Sequence, residues 1–164
     1  MTTEERLAAL EARLRAAEDH LEILNLISAY GPLADSCSID DAAAQWVPGG
    51  GYNYGLNDGG SRRLEAPEPL GDLWRQEGHV ALTRTGSAHT AATPKISVKG
   101  DEAEAVGYSF VIKREGERWF VWRAAINHWV LTRTPQGWRV TEKFNRTLDG
   151  SDESHEVMKR ILTI

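Results

Sequence analysis

The second half of the chain alternates between apolar and polar residues, and this pattern constrains the fold more than any other feature. From Ser87 onward the period is two, which predicts four strands: Ser87–Val98, Ala103–Arg114, Arg118–Thr134 and Gly137–Leu148. The short turn sequences Lys-Gly-Asp, Glu-Gly-Glu and Pro-Gln-Gly separate them. Consecutive strands joined by tight turns form an antiparallel meander. A strand as long as the third one bends, so the sheet should have a concave face.

Helical patterns occupy the first half of the chain. Leucines recur at alternating steps of three and four from Leu7 to Leu24, on a long helix over residues 1–30 that begins near Thr3 and is broken or kinked at Gly31-Pro32. Three further segments are predicted to be helical: a short helix capped by Ser38 and ending near Val47-Pro48, a third helix over Pro67–Glu77, and a terminal helix from Ser151.

Between these helices, Tyr52 and Tyr54 suggest a short strand, and Asn57-Asp58-Gly59-Gly60 predicts a turn. Helices first and strands afterwards predict one α+β domain over residues 1–164, with the N-terminal helices packed against a curved antiparallel sheet.

Composition narrows the class of function. The chain has 164 residues, 41% of them hydrophobic and 26% charged, which is typical of a globular domain with its own core. The net charge of −5 and the lack of a basic cluster argue against nucleic acid as a partner. A single cysteine, Cys37, excludes an internal disulfide framework and a thiolate metal site. We find no signal peptide and no apolar stretch of membrane-spanning length, so we expect a cytoplasmic protein with no membrane partner.

Two surfaces predict self-association. The first helix carries a narrow leucine seam in its early turns, which suits contact with a partner. The strand Arg118–Thr134 has apolar residues on both faces, so it needs two covers, and the helices can supply only one. We therefore expect a homodimer or homotrimer.

His89 is the best candidate for a general base. It lies among small residues that leave space beside it, and it is out of phase with Ile96 and Val98, which requires a bulge or twist near Pro94. Asp35 follows the expected helix break, and Tyr30 is about one helical turn before it. The simpler alternative is that Asp35 caps the next helix and Tyr30 only packs in the core.

On the last strand, alternation places Trp138, Val140, Phe144 and Leu148 on the core face and Lys143 and Asn145 on the other face. Glu142 and Arg146 then share the apolar face. In one interpretation they form a structural ion pair. In the other, Arg146 lines the pocket and binds an anion or oxyanion. On the preceding strand, Asn127 shares the face of Trp129.

These patterns together resemble the SnoaL-like branch of the nuclear-transport-factor-2-like superfamily. The matching segments are Ile27–Tyr30 with Asp35 five positions later, Trp46, His89–Ile96 and the hairpin Leu131–Val140. The resemblance covers nearly the whole chain. It implies a cone-shaped α+β barrel, often dimeric or trimeric, with an apolar pocket entered between the helices and the sheet.

The resemblance also implies a chemistry. Scytalone dehydratase, bile-acid 7α-dehydratase and hexachlorocyclohexane dehydrochlorinase, all of that superfamily, eliminate water or HCl with an Asp–His pair. Asp35 and His89 match this pair, and Tyr30 matches the tyrosine with which the dehydratases polarise a carbonyl group. The chain departs from the pattern at residues 110–112, which are apolar where a further pocket carboxylate is expected, and Arg146 matches a pocket arginine only approximately.

We therefore expect a cofactor-independent lyase that performs a dehydratase-type elimination on an apolar cyclic small molecule. Asp35, His89 and Tyr30 are the expected catalytic residues. The expected substrate-binding residues are Trp46, Tyr54, Trp74, Asn127, Trp129, Phe144 and Arg146. No cofactor and no metal are expected, because there is no phosphate-binding glycine loop and no clustered ligand set, and His79 and His89 lack the helical i,i+4 spacing.

Two alternatives remain at this point. An isomerase or a polyketide cyclase could use the same pocket residues, and product analysis would separate these reactions from elimination. A non-catalytic binding or assembly module could also share the fold. In that case Asp35 and His89 would not meet, or the tryptophans Trp46, Trp74 and Trp129 would fill the pocket.

Overall fold

A computed structural model of the chain describes residues 1–56 and 60–164. Within these ranges the helices are α1 (Thr3–Asp35), α2 (Ile39–Ala43), α3 (Glu68–Arg75), α4 (Glu77–Thr85) and α5 (Asp152–Lys159), followed by a 3₁₀ turn (Arg160–Leu162). The strands are β1 (Trp46–Gly55), β2 (Ser61–Glu65), β3 (Ser87–Ala91), β4 (Lys95–Lys99), β5 (Glu102–Glu115), β6 (Arg118–Thr134) and β7 (Gly137–Thr147). Residues 57–59 of the predicted turn lie outside the described residues. No described helix has both the length and the apolar character needed to cross a membrane.

The seven described strands form one curved, open sheet in the order β2-β1-β7-β6-β5-β3, and β4 also pairs with β5. Neighbouring strands are antiparallel except for β1 and β7, which are parallel. The N-terminal helices pack on this sheet, so the predicted α+β class and helix-covered curved sheet are confirmed. The predicted strand Ser87–Val98 is interrupted at residues 92–94, around Pro94, and continues as two strands.

Helix α1 is longer than predicted. Thr2, rather than Thr3, is the N-cap, and it forms a capping box with Glu5. The helix also runs through Gly31-Pro32 and ends at Asp35, so the predicted break does not occur there. Pro32 lies in the last turn and cannot donate the helical hydrogen bond to residue 28, but its own carbonyl oxygen still accepts from the Ser36 N–H at 2.9 Å, which closes the final turn. Asp35 is therefore held by the helix itself.

A buried ion pair fixes α1 on the sheet. Arg133 on β6 donates two hydrogen bonds to the Asp19 carboxylate, at 2.6 and 2.7 Å, and Trp138 Nε1 donates a third at 3.2 Å. Bidentate arginine–carboxylate pairs fix orientation as well as distance. One and two turns after Asp19 on α1, Ile23 and Ile27 pack into the core between the helix and the sheet.

The other helices differ from prediction in their boundaries. Helix α2 ends at Ala43, and Trp46 already begins β1, so the predicted extension to Val47-Pro48 is wrong. The single helix predicted over Pro67–Glu77 contains the whole of α3, and its last residue, Glu77, already begins α4. Gln76 between them has an extended backbone with φ −60° and ψ 142°. The alternating residues from which the strands were predicted begin only after a fourth helix, α4, which the sequence analysis did not predict.

An irregularity in β7 overturns the predicted faces of that strand. Leu131 of β6 pairs with Val140 and Val130 pairs with Glu142, so Thr141 is an extra residue in β7. Such a bulge shifts every later side chain to the opposite face. As a result Lys143 and Asn145 are buried beneath the helices, with 3% and 4% of their surface exposed.

The same bulge moves Phe144, Glu142 and Arg146 away from the helix-covered face. Phe144 stacks on His128 with ring centroids 5.7 Å apart. The predicted Glu142–Arg146 pair is absent, because Glu142 accepts hydrogen bonds from Arg63 on β2 and Arg146 pairs with Glu153 on α5 at 2.7 Å.

Helix α5 covers part of the second face of the sheet, where Ile126 and His128 are buried. The early leucines of α1 and the aromatic end of β6 remain uncovered by the chain itself: Leu7, Leu10, Leu14, Trp119 and Trp122 are each more than half exposed. Self-association through these surfaces stays a prediction.

Candidate functional site

A cavity of about 280 Å³ lies between the helices and the concave face of the sheet. Its wall includes six of the ten predicted site residues: Tyr30, Tyr54, Trp74, His89, Asn127 and Trp129. Helix α4, which sequence analysis missed, contributes His79 and Leu82. The lining is mainly aromatic and aliphatic with a few polar groups, which is the usual character of a small-molecule site.

Asp35 and His89 meet at the cavity wall. The Nδ1 atom of His89 lies 2.7 Å from Asp35 Oδ1. The backbone N–H of His89 donates to Asp35 Oδ2 at 2.6 Å, and the Ser87 hydroxyl donates to Oδ1 at 2.7 Å. Three donors therefore converge on one carboxylate, and both residues keep only about a fifth of their side-chain surface exposed.

Gly31 allows Asp35 and His89 to come into contact. A Cβ atom at Gly31 would overlap the backbone carbonyl oxygen of His89. The absence of a side chain lets β3 lie against the last turns of α1, where Asp35 ends the helix. The Gly-Pro pair that suggested a helix break is thus explained by close packing between helix and strand.

The environment keeps Asp35 ionised and determines which ring nitrogen of neutral His89 carries the proton. Burial alone would raise the pKa of Asp35, but the hydrogen bonds from His89 and Ser87 outweigh it and lower the pKa below its usual value. The carboxylate is therefore ionised at neutral pH and can only accept hydrogen bonds. Neutral His89 must then carry its proton on Nδ1, and Nε2 is left as a free base with no hydrogen-bond partner among the described residues.

His79 lies next to the pair, with its ring centroid 5.6 Å from that of His89. Its Nδ1 atom is 3.0 Å from the carbonyl oxygen of Trp74, so Nδ1 carries the proton. Burial and the neighbouring His89 lower the pKa of His79, which keeps it neutral. Nothing in the sequence spacing of the two histidines indicated this contact.

Tyr30 belongs to an aromatic cluster beside the cavity. Its ring centroid lies 5.6 Å from that of Trp46, 5.7 Å from Trp74 and 5.5 Å from Trp129. Burial, together with Tyr52, raises the pKa of Tyr30 well above its ordinary value, so its hydroxyl keeps its proton and acts as a donor. Trp46 belongs to the cluster without lining the cavity. The three tryptophans leave the cavity open.

A polar group of residues lies elsewhere on the wall. Asn145 donates to Asn127 at 2.8 Å, and Asn127 donates to Ser109 at 2.6 Å. Lys143 and Arg123 also line the cavity. Sequence alternation placed Lys143 and Asn145 on the outer face, and no residue near Thr141 signals the bulge that turns them inward.

Two predicted binding residues are placed elsewhere. Phe144 and Arg146 lie on the opposite face of the sheet, because the bulge at Thr141 reverses the faces of the side chains that follow it. The described residues contain no group of three or more His, Cys, Asp or Glu side chains able to hold a metal ion.

Solved structures with the same architecture place the chain among known folds. An NTF2-like protein with a cystatin-like fold from Novosphingobium aromaticivorans is 34% identical, with a TM-score of 0.87 over 93% of this chain and 96% of that one. A protein of unknown function from Mycobacterium tuberculosis is 14% identical, with a TM-score of 0.69 over 94% and 90% of the two chains. ActVI-ORFA from Streptomyces coelicolor is 15% identical, with a TM-score of 0.66 over 80% and 98%. The last two similarities concern the fold alone.

No protein with a curated description matches this sequence. The family model of the SnoaL-like domain matches residues 15–143. This range includes α1 from its fourth turn, the Asp35–His89 pair and most of the sheet. On the strength of that match and of the NTF2-like relative, the chain belongs to the SnoaL-like domain family.

Proposed function

We propose that this protein is a cofactor-independent lyase that performs a dehydratase-type elimination on an apolar cyclic small molecule. The observation that carries the proposal is the 2.7 Å contact between Asp35 and His89, with Nε2 of His89 unpartnered at the cavity wall. A base, the group that orients it and an open cavity beside it form the arrangement that proton abstraction needs.

In the reaction, Nε2 of His89 removes a proton from the carbon next to a carbonyl group. Asp35 stabilises the imidazolium that forms, and the Tyr30 hydroxyl donates a hydrogen bond to the carbonyl oxygen as negative charge develops there. His89 then returns the proton to the departing hydroxyl group, which leaves as water. A positioned base of this kind contributes about 10²–10⁴-fold in rate.

The cavity supports a cyclic and largely apolar substrate. Trp74, Trp129 and Tyr54 present ring surfaces to it, and its volume is about 280 Å³. An apolar protein cavity of about 150 Å³ accommodates benzene. The space is therefore suited to about two fused six-membered rings.

Two observations argue against a purely non-catalytic module. Such a module predicts that Asp35 and His89 stay apart or that tryptophans fill the pocket, and neither is observed. Isomerisation and cyclisation would use the same residues, so the nature of the product decides between them and elimination.

The test is a screen of bicyclic β-hydroxyketones with product analysis by mass spectrometry. We expect loss of water with the wild-type protein and a rate lower by about 10²–10⁴-fold with His89→Gln. The matched control is His155→Gln, because His155 is exposed on α5, away from the cavity. Equal rates for wild type and His89→Gln would contradict the proposal. A product of unchanged mass would replace elimination by isomerisation.

A further inference from the structure

Lys143 is a buried lysine without an acidic partner. Only 3% of its surface is exposed. Its Nζ atom lies 3.8 Å from the ring centroid of Tyr30, 4.2 Å from that of Trp129 and 4.8 Å from that of Tyr52. Within the described ranges it forms neither a hydrogen bond nor an ion pair, whereas buried lysines in proteins are almost always paired.

None of the described side chains that line the cavity supplies the missing negative charge. Besides Lys143, the ionisable ones are Tyr30 from α1, Tyr52 and Tyr54 from β1, His79 from α4, His89 from β3 and Arg123 from β6, and none of them is a carboxylate. Burial raises the pKa of Tyr30 and Tyr52, so both are neutral. Arg123 is a second cation, and its Nε atom is itself buried without a hydrogen-bond partner.

The surroundings of Lys143 therefore disfavour the charged form of its amine. Burial first, and the positive charge of Arg123 second, lower the pKa of Lys143 well below its ordinary value. The three ring faces attract an ammonium ion, but this attraction is smaller than the loss of its hydration. A lysine that is desolvated beside another cation is a typical activated amine nucleophile.

We propose that Lys143 is a catalytic nucleophile that forms a covalent imine with the carbonyl group of the bound substrate. This inference rests on the proposed function, because Lys143 and His89 line the same cavity and would act on the same cyclic ketone. It makes a ketone or aldehyde, rather than an ester or acid, the required substrate class.

The covalent steps balance without any further reagent. The lone pair of Nζ attacks the carbonyl carbon, and the oxygen takes up one proton from the attacking nitrogen and one from solvent and leaves as water. This gives an iminium ion, and the proton from solvent is returned at the final hydrolysis. His89 removes the proton on the neighbouring carbon, and the electron pair of that C–H bond moves to form an enamine. The enamine expels the β-hydroxyl group, which leaves as water with the proton from His89. Hydrolysis of the resulting iminium ion then releases the unsaturated ketone and restores the amine.

The surroundings of Nζ favour this role over that of an anchor for an anionic substrate. The faces of aromatic rings carry the negative part of the ring quadrupole. Three such faces surround Nζ and would repel a carboxylate at that position. Lys143 also lines the open cavity, which is the side from which a carbonyl carbon would approach Nζ.

The test uses β-decalone, a saturated bicyclic ketone, and sodium borohydride. Reduction of an imine leaves a stable adduct whose mass exceeds that of the protein by the ketone minus one oxygen atom. We expect this adduct on the wild-type protein, and peptide mass spectrometry should locate it at Lys143. Lys143→Met and Lys143→Arg should show no adduct, whereas the exposed-lysine control Lys99→Met should be labelled like the wild type.

His89→Gln separates this inference from the proposed function. It should still form the adduct but should eliminate water from a β-hydroxyketone about 10²–10⁴-fold more slowly. Absence of an adduct on the wild type, an adduct located at another lysine, or full turnover by folded Lys143→Arg would overturn the role of Lys143 and leave the Asp35–His89 proposal intact. An adduct at Lys143 together with full turnover by His89→Gln would overturn the proposed function alone.

Discussion

The substitution Asp35→Asn should move the proton of neutral His89 from one ring nitrogen to the other. Asp35 Oδ2 accepts the backbone N–H of His89 at 2.6 Å, and a backbone N–H cannot become an acceptor. The oxygen of an asparagine must therefore occupy the Oδ2 position. Its NH₂ group then takes the Oδ1 position, 2.7 Å from Nδ1 of His89.

Nδ1 must then accept a hydrogen bond, so the proton moves to Nε2. The nitrogen that faces the substrate would no longer be a base. In a serine-protease triad the corresponding exchange lowers kcat by about 10⁴-fold while the geometry is retained. We expect a loss of about 10³–10⁴-fold here for the same reason. The Ser87 hydroxyl can rotate to accept from the new NH₂ group, so the fold should be preserved.

Two measurements check this prediction. Nitrogen-15 NMR of the histidine rings above pH 8 should show the Nδ1–H tautomer for His89 in the wild type and the Nε2–H tautomer in Asp35→Asn. Exchange of the α-protons of β-decalone in deuterated water should fall in parallel. Persistence of the Nδ1–H tautomer in the variant, or an unchanged exchange rate, would refute the assignment of Asp35 as the residue that orients the base.

Two further predictions concern the residues that shape the cavity. Gly31→Ala should lower the free energy of unfolding by about 1–3 kcal/mol, because its Cβ atom would overlap the His89 carbonyl oxygen. Gly78→Ala, in helix α4 with open space around it, should leave that free energy unchanged or raise it by up to about 1 kcal/mol in the same urea titrations. Lys143→Met should be more stable than the wild type at neutral pH. Because the folded pKa of Lys143 is lowered, the unfolded chain binds the extra proton, so wild-type stability should rise with pH up to about 10. The Met variant should lack this rise, and identical pH profiles of the two proteins would contradict a buried, unpaired amine.

The parts of the fold that follow regular patterns could be predicted from the sequence. Alternation at period two defined β5, β6 and β7 to within a residue or so, and leucine spacing defined most of α1. Helix α4 escaped because its exposed residues and its glycine at position 78 give little periodic signal. Its link to α3 is a single extended residue, Gln76, which no turn motif marks.

The site residues that could be predicted from the sequence were those whose placement did not depend on the register between paired strands. Asp35, His89 and Tyr30 were found because motif order and spacing place them whatever the exact pairing of strands. The predicted faces of Lys143 and Phe144 were wrong, because the bulge at Thr141 reverses the alternation. No sequence feature at Thr141 indicates the bulge. The apolar residues on either side of Thr141, Val140 and Phe144, are an even number of positions apart, so the period-two pattern gives no sign of the bulge.

Both reactive parts of the cavity depend on local departures from regular structure. His89 reaches Asp35 because the edge strand is interrupted at residues 92–94 and because Gly31 lets the backbones approach. Lys143 reaches the cavity because Thr141 bulges out of β7. A perfectly regular sheet would place Glu142 and Phe144 under the helices and would put the lysine on the opposite face, away from the cavity. Irregularities of this kind aim individual side chains without altering the rest of the core. The bulge thus converts a common surface residue into a buried amine opposite aromatic rings, which is the feature on which the proposed imine chemistry depends.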